Sequence, residues 1–545
     1  MLTLPLDPTD DRADPAFKDA DSCTLWLGQL QFTNLHLAHG VLRTQLDELN
    51  RYPMRGLERW RVLELLRETV SLVQADYAKK LIAKNLPLSA EEFTIFVSII
   101  ELWQHMLTGY QRCLQACVAG DRQLADYGAR LCQRCLLYSS LQIFEHLHAG
   151  YECSGKMWNQ LHVLYAYSEE QDWQQREVAD GLDGSKRQPS CHTIYTRTLL
   201  ACYARPAELT RGQVHLLDCL LTQWSADITV ARRCAVSKGD ALPLAVDLDG
   251  AQGLQALNQT SPSDSMRYLA MVPLSKLLRV KIILLQQGQS PQQLGLCESS
   301  SGVDCIELLN HLHRCWCEEL DDRRLAARSS VTHQAQLCYG LEGIYTYIAK
   351  KPFKLPGKDG VVNALARKPI ATLGHALSAT DHKSLHGCLS DWGYPLELWQ
   401  IADESIFGAR LLRAGSAGVR LGRDQIVLVH PANANVFILG TISRVSVTQT
   451  GQLSATVRYL PGVAQAIAIK ATGINPGVKD QTAAALLLPA VPALKTPASL
   501  IIPRNWFQPG RVVEIIDPDN QKLGVKLGFS VEIGADYERV SFTQV

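Results

Sequence analysis

The spacing of apolar residues changes along the chain. From about residue 24 to 235 apolar positions recur at intervals of three and four, which is the pattern of an amphipathic helix. Ser89 followed by Glu92 is a capping-box pattern and predicts a helix start. The apolar positions that follow on one face are Phe93, Phe96, Ile100, Trp103 and Leu107. Short breaks between such segments predict antiparallel helical hairpins.

One helical segment carries a further pattern. The residues Trp158-x-x-Leu161-His162-x-x-Tyr165 are similar to the start of a tetratricopeptide repeat (TPR), with His162 where that repeat usually has glycine. No regular repeat period accompanies this stretch. The similarity predicts stacked helical hairpins.

The pattern changes after residue 235. Residues 242–248 (LPLAVDL) predict a short strand that ends at the turn Asp249-Gly250. Helical spacing returns at about 273–287 and 303–320, so this region is either a separate α/β module or a continuation of the helical array. Residues 351–385 are rich in Pro, Gly and Lys and predict a linker.

From about residue 395 the apolar period is two, which is the pattern of β-strands. Residues 436–447 and 453–460 form a predicted hairpin with Gly451 in its turn. Further short strands follow at even spacing between 498 and 542. This predicts a small antiparallel β-barrel, or two half-barrels joined by the Pro/Ala-rich stretch 483–497.

These patterns predict a multidomain α + β protein with a helical-hairpin, TPR-like N-terminal region, a small mixed α/β middle module and a C-terminal antiparallel β-barrel region. All 16 cysteines lie between Cys23 and Cys388, which supports a domain boundary near 388. The predicted divisions are a mobile acidic tail over 1–20, a helical domain over 21–235, a middle module over 236–350, a linker over 351–394 and a barrel domain over 395–545.

The charge balance and the lack of leader sequences limit where the protein works. The 54 basic and 54 acidic residues give a formal net charge of zero, which argues against a protein that coats nucleic acid. The N-terminus has no basic and apolar signal pattern, and the apolar stretch 483–494 is too short and too rich in proline to span a bilayer. We therefore expect a cytoplasmic protein with reduced thiols and no membrane insertion.

No common catalytic motif is present. The chain lacks G-x-x-x-x-G-K-[ST], H-E-x-x-H and G-x-S-x-G, and has no G-x-G-x-x-G after a strand, so we predict that it is not an enzyme. Asp247 and Asp249 are a possible carboxylate pair, for which turn capping is the commoner role.

Two groups of cysteine and histidine could in principle bind a metal. The first comprises Cys113, Cys117, Cys132 and Cys135, and the second comprises His311, His313, Cys315 and Cys317. On two successive helices, the pair Cys113 and Cys117 misses the pair Cys132 and Cys135 by roughly one helical turn. In the second group, residues two apart on a helix face apart, so for both groups we expect buried small apolar side chains and no metal.

The best candidate for a binding site lies at the start of the β-rich region. Between 401 and 470 there are seven basic and three acidic residues, and the candidate residues are Asp403, Ser405, Gly408, Arg410 and Arg413. Arginine offers a planar set of donors for phosphate, and Gly408 permits a close backbone approach. Asp and Ser two residues apart can bind a base edge. The alternative is a basic, solvated barrel face on which Asp403 and Ser405 only cap a turn.

The hexamer Asp403-x-Ser405-x-x-Gly408, followed by the strands ILGTISRV and TVRYLPG, resembles the second signature of PilZ domains, bacterial receptors for cyclic di-GMP. The whole chain is similar to long proteobacterial proteins with a helical front half and an atypical PilZ-like tail. The resemblance implies a PilZ-like β-barrel, no cofactor, and cyclic di-GMP as ligand. In that case Arg410 or Arg413 would neutralise phosphate, and Asp403 and Ser405 would bind a guanine edge.

The chain departs from the PilZ pattern upstream of this motif. PilZ receptors carry R-x-x-x-R on a preceding segment that clamps the nucleotide, whereas residues 369–402 contain no arginine. The sequence therefore supports two functions. One is a regulatory adaptor of cyclic di-GMP signalling, whose helical region recruits a protein partner from motility, pilus or exopolysaccharide machinery. The other is a pure protein–protein scaffold without nucleotide binding.

Overall fold

The computed structural model describes residues 2–545 apart from 83, 180–187, 235, 238, 297–300, 319–332, 354–391, 416–417, 433, 435, 473–481 and 518. Two compact units are present. The helical unit comprises Met1–Lys84 and Leu88–Asp322, and the barrel unit comprises Asn85–Pro87 and Arg323–Val545. Most of the predicted linker, 354–391, lies outside the described residues.

The helical unit confirms the helical spacing of the first half of the chain. At the start of helix α4 (Ala90–Val118), the Glu92 backbone N–H donates to Ser89 Oγ (3.2 Å) and the Ser89 N–H donates to the Glu92 carboxylate (2.9 Å), so the predicted capping box is confirmed. None of the described helices combines the length and the apolar character that a membrane-crossing helix needs. The helices described in this unit are α1 (Ala20–Gln29), α2 (Leu35–Arg51), α3 (Gly56–Ala78), α4 (Ala90–Val118), α5 (Gly128–Ala149), α6 (Gly155–Glu170), α7 (Cys191–Tyr203), α8 (Arg211–Trp224), α9 (Val272–Gln286) and α10 (Gly302–Cys317).

The N-terminal segment packs against the helices. The Leu4 N–H donates to Gln115 Oε1 (3.0 Å), and the Ala16 N–H donates to the side chain of Gln45 (2.7 Å). Phe17 is buried, with its ring 5.0 Å from that of Trp26. The segment predicted as a mobile tail over 1–20 therefore makes specific contacts with the helices. Although this segment is acidic and contains proline, it also contains apolar residues such as Phe17, whose burial is favourable.

A four-stranded antiparallel sheet belongs to the helical unit. Its strands are β1 (Val230–Ala231), β2 (Leu244–Asp247), β3 (Gln255–Ala256) and β4 (Met266–Leu269), in the order β1-β4-β2-β3. The Asp249 N–H donates to Asp247 Oδ1 (3.1 Å), so Asp247 caps the turn after β2 as predicted. Arg267 on β4 pairs with Glu169 on α6 at 2.7 Å. This region, up to Asp322, belongs to the same compact unit as the preceding helices.

The TPR-like residues lie in the core of the helical unit. Trp158, Leu161 and Tyr165 on α6 are buried. His162 is also buried; its Nε2 donates to the Gln252 carbonyl (2.8 Å), and its Nδ1 accepts from the Tyr195 hydroxyl (2.8 Å). These contacts explain why a histidine replaces glycine there, since both ring nitrogens find partners. The assignment to a tetratricopeptide repeat remains a prediction.

The barrel unit contains two closed six-stranded antiparallel barrels and one helix, α11 (Leu341–Ala349). In the first barrel the strand order is β10-β7-β6-β5-β8-β9, and in the second it is β11-β12-β13-β16-β15-β14. The strands are β5 (His333–Tyr339), β6 (Leu396–Ser405), β7 (Gly408–Arg413), β8 (Ile426–Pro431), β9 (Ile438–Val447), β10 (Leu453–Tyr459), β11 (Gln465–Ala471), β12 (Thr482–Leu488), β13 (Ser499–Pro503), β14 (Val512–Ile516), β15 (Lys522–Ile533) and β16 (Tyr537–Gln544).

The strand pairing differs from the predicted boundaries. The β9–β10 hairpin with Gly451 in its turn is confirmed. However, β5 lies before the predicted barrel start at 395 and closes the first barrel between β6 and β8, so this barrel draws on the predicted middle module. Residues 482–488 form a strand of the second barrel and not a connection between half-barrels. Cys338 on β5 also shows that the last cysteine does not mark the start of the barrel unit.

Helix α11 packs between the two barrels. Its residues Ile344 and Tyr347 share one apolar cluster with Leu428 of the first barrel and with Leu486 and Tyr537 of the second. These side chains are buried. Burial of apolar surface stabilises a fold by about 25 cal/mol for each Å² removed from water. The cluster makes the two barrels one packed body.

Polar contacts also join the barrels. Asp536, in the turn between β15 and β16, accepts a hydrogen bond from the Ile426 N–H of the first barrel (2.9 Å). Arg458 on β10 donates to Glu532 on β15 (2.5 Å). Desolvation at this junction raises the pKa of Asp536 to about 6.

We expect Asp536→Asn to stabilise the protein at pH 8. Because the folded-state pKa is raised above 3.8, the native state binds this proton more tightly than the unfolded state does. The contribution of Asp536 to stability therefore falls as pH rises from about 4 to about 6. The variant keeps an acceptor for Ile426 and should gain on the order of 2 kcal/mol at pH 8, discounted for partial exposure, with the gain vanishing below pH 4.

Urea unfolding of both proteins at pH 4 and pH 8 measures this effect. The matched control is Asp519→Asn, which changes an exposed carboxylate and should show no pH-dependent difference. An equal difference between wild type and Asp536→Asn at both pH values would contradict the prediction.

Candidate functional site

The predicted motif forms the tight hairpin between β6 and β7. Ser405 and Gly408 are paired residues at the ends of the two strands, and Ile406 and Phe407 form the two-residue turn. The Ser405 hydroxyl accepts from the Phe407 N–H (3.3 Å) and donates to the Gly408 carbonyl (3.3 Å). Ser405 therefore caps the turn, as the alternative interpretation of the motif held.

Asp403 and Arg410 face each other across β6 and β7. They are paired residues, and Arg410 Nε lies 2.6 Å from Asp403 Oδ2. The side chain of Arg410 is 39% exposed and that of Asp403 is 17% exposed. A half-exposed pair of this kind contributes about 0–1 kcal/mol to stability, but it holds the guanidinium at a fixed place on the barrel surface.

Gly408 is required by the packing of β7 against β10. A Cβ atom at this position would lie 2.1 Å from the carbonyl oxygen of Val457, so a larger residue would displace the backbone. On the other side of β10, a Cβ at Gly440 would lie 2.5 Å from Val457 Cγ1. The two glycines let the three strands approach closely, and this accounts for the glycine of the motif without a ligand.

Arg413 lies inside the first barrel and not on its surface. Its side chain is 6% exposed, and its Nη1 donates to Glu397 Oε2 (2.5 Å) and to the Val419 carbonyl (3.0 Å). The guanidinium also lies over the ring of Trp399, 5.0 Å from its centroid. Arg413, which the sequence suggested for neutralising a bound phosphate, is thus engaged in a buried ion pair in the barrel interior.

The structure thus brings Asp403, Ser405, Gly408 and Arg410 together on one hairpin and separates Arg413 from them. The sequence carried a signal for this separation. In a strand, side chains alternate between two faces, so Arg413 shares a face with the apolar residues Ala409 and Leu411, whereas Arg410 lies on the opposite face. Leu412 is apolar although it lies on the outer face, so the sequence of β7 does not show a regular alternation of apolar and polar residues.

The cysteine and histidine groups have structural roles in the helical unit. Cys113, Cys132 and Cys135 are buried, and desolvation raises the pKa of the Cys113 thiol to about 12. His311 donates to the Ala204 carbonyl (2.8 Å), while Arg279 donates to His313 (2.9 Å). Among the residues that the structure describes, no group of three or more His, Cys, Asp or Glu side chains could hold a metal ion.

We expect Arg413→Ala to destabilise the first barrel far more than Arg410→Ala does. Removing Arg413 leaves the Glu397 carboxylate in the barrel interior without its cation, which costs about 3–5 kcal/mol. Removing Arg410 breaks only a half-exposed pair, which costs about 0–1 kcal/mol. Chemical denaturation of the two variants measures the contrast, and equal losses would contradict the placement of Arg413.

We also expect Gly408→Ala to lower the free energy of unfolding by about 1–3 kcal/mol, because the new methyl group overlaps the Val457 carbonyl. Gly524→Ala on β15 is the matched control, since a Cβ there would have only Val545 O within 4 Å, at 3.9 Å. Thermal unfolding of both variants tests the prediction. It would be contradicted if the two glycines tolerated alanine equally well.

Three comparisons with known proteins bear on the chain as a whole. Residues 21–233 match the domain family described as "Cyclic-di-GMP receptor FimW, N-terminal domain", and residues 467–545 match the family described as "FimW C-terminal beta-barrel domain". The chain is 22% identical to the protein named "Cyclic-di-GMP receptor FimW" of Pseudomonas aeruginosa, over 93% of this chain and 88% of that relative. No solved structure matches the chain.

These matches agree with the two units of the structure. The first lies within the helical unit apart from Asn85–Pro87, and the second covers nearly all of the second barrel. The family is that of a receptor and not of an enzyme, which confirms the prediction drawn from the missing catalytic motifs. The comparisons name neither PilZ domains nor tetratricopeptide repeats. The chain accordingly matches the FimW N-terminal domain family over residues 21–233 and the FimW C-terminal β-barrel domain family over residues 467–545, and it is similar to a FimW receptor along most of its length.

Proposed function

We propose that the protein is a receptor for cyclic di-GMP. The observation that carries the proposal is the similarity to a named cyclic di-GMP receptor along nearly the whole chain, including both of its domain families. The half-exposed Arg410 guanidinium on the first barrel supports it, because a cyclic dinucleotide carries two negatively charged phosphodiester groups.

Within this proposal the ligand binds beside the β6–β7 hairpin. Arg410 contacts a phosphate, and Asp403 and Ser405 lie where a guanine edge could be read. Asp403 holds the Arg410 guanidinium through Nε, so the side chain is oriented before the ligand arrives. Gly408 serves the packing of the hairpin, and Arg413 supports the barrel from within.

Titration of the full chain with cyclic di-GMP in a calorimeter tests the proposal. We expect saturable heat with a micromolar Kd, and much weaker heat with GMP, which has a single phosphate group. The absence of heat and of any thermal stabilisation at high micromolar cyclic di-GMP would contradict the proposal.

A second candidate function is a protein-interaction module. Ile406 and Phe407 at the tip of the same hairpin are 84% and 65% exposed, which is unusual for large apolar side chains that lie side by side. This observation favours contact with another protein at the hairpin. Within the hairpin, Ser405 bonds to the Gly408 carbonyl and Arg410 bonds to Asp403. These internal contacts are also compatible with a barrel that binds no nucleotide.

The helical unit is proposed to recruit a protein partner. Leu65 and Leu72 on α3 are seven residues apart, so they lie on one helix face, and they are 40% and 58% exposed. A role that uses both units is that of a cytoplasmic adaptor. It would link a nucleotide signal to motility, pilus or exopolysaccharide machinery.

A further inference from the structure

Arg444 on β9 occupies a position that relates it directly to the candidate site. It pairs with Thr456 on β10, Thr456 pairs with Arg410 on β7, and Arg410 pairs with Asp403 on β6. The four residues therefore form one row across four neighbouring strands of the first barrel. We call this set, Asp403, Arg410, Thr456 and Arg444, the arginine row.

The arginine row faces outward. Its neighbours along the strands, including Ala409 on β7, Ala455 and Val457 on β10 and Val445 on β9, are buried in the barrel interior. Because successive side chains on a strand point to opposite faces, the residues of the row project from the outer face. The row residues Arg410, Thr456 and Arg444 are all partly exposed, as a surface open to a ligand requires.

Arg444 differs from the other arginines of this barrel region in being uncommitted. Arg410 pairs with Asp403, Arg413 with Glu397, and Arg458 with Glu532. Arg444 makes no hydrogen bond or ion pair with any residue that the structure describes. It is a full positive charge with five donors and no internal role in the barrel.

The spacing of the row suits a ligand with two anionic groups. Arg410 and Arg444 lie on strands separated by one other strand, so their backbones are roughly 10 Å apart. The hydroxyl of Thr456 lies between them. Two guanidinium groups on long side chains can approach two phosphodiester groups from opposite sides, whereas one phosphate would engage only one of them fully.

We propose that Arg444, together with Thr456, forms the second phosphate-binding position of the cyclic dinucleotide site, opposite Arg410. This inference rests on the proposed function, because it assigns further residues to the same ligand. It also supplies, from β9 and β10, a cation that the chain lacks upstream of the hairpin, where residues 369–402 contain no arginine. The row then contacts the ligand from four neighbouring strands.

Calorimetric titration of the full chain with cyclic di-GMP tests the inference on Arg444→Gln and Thr456→Val. We expect Arg444→Gln to raise the Kd at least about tenfold, since it removes charge-assisted hydrogen bonds to phosphate, and Thr456→Val to raise it by a smaller factor. The melting temperature of Arg444→Gln should stay close to that of the wild type, because this side chain makes no hydrogen bond or ion pair with a described residue. The affinity for GMP should change less than that for cyclic di-GMP.

Arg122→Gln is the matched control, since it removes an exposed arginine of the helical unit and one unit of charge. A tenfold loss in Arg444→Gln with an unchanged control supports the inference. Equal affinity of Arg444→Gln and wild type would overturn it while leaving the proposed function intact, and so would equal losses in Arg444→Gln and the control. If the wild-type chain binds no cyclic di-GMP, the proposed function itself fails.

Discussion

The buried ion pair between Glu397 and Arg413 is the interaction on which the geometry of the first barrel depends. Glu397 accepts hydrogen bonds from Arg413, from the Val419 backbone and from the Tyr339 hydroxyl (2.9 Å) in the barrel interior. Because Arg413 is held inside, the alternation of β7 places Arg410 outside. A slip of one residue in the pairing of β7 would exchange the two arginines and bury an uncompensated charge.

This dependence explains what the sequence could and could not predict about the candidate site. The period of two and the turn at Gly451 were sufficient for strands and for a hairpin, because both are local properties. Whether an arginine lies inside a barrel depends on its partner across the strands, and Glu397 is 16 residues from Arg413 in the chain. From residue types alone, Arg410 and Arg413 are both expected at the surface, whereas in the structure Arg410 is half-exposed and Arg413 is buried.

The same distinction applies to the fold. Helix starts such as the one at Ser89 follow from a few neighbouring residues, and they were predicted correctly. Strand β5 could not be assigned to a barrel from its own residues, since its partners are β6 and β8, which lie far along the chain. The N-terminal segment shows the limit of composition, because Phe17 finds a buried place despite its polar and acidic neighbours.

The cluster around α11 has a consequence for dissection of the chain. The C-terminal domain family begins at residue 467, yet Leu486, Leu488 and Tyr537 of the second barrel pack into the cluster that α11 and the first barrel complete. A second barrel separated from the rest would present this apolar surface to water and would tend to self-associate. The two barrels are therefore a single packing unit, in which a change of side-chain volume at the shared cluster on one barrel alters the packing of the other.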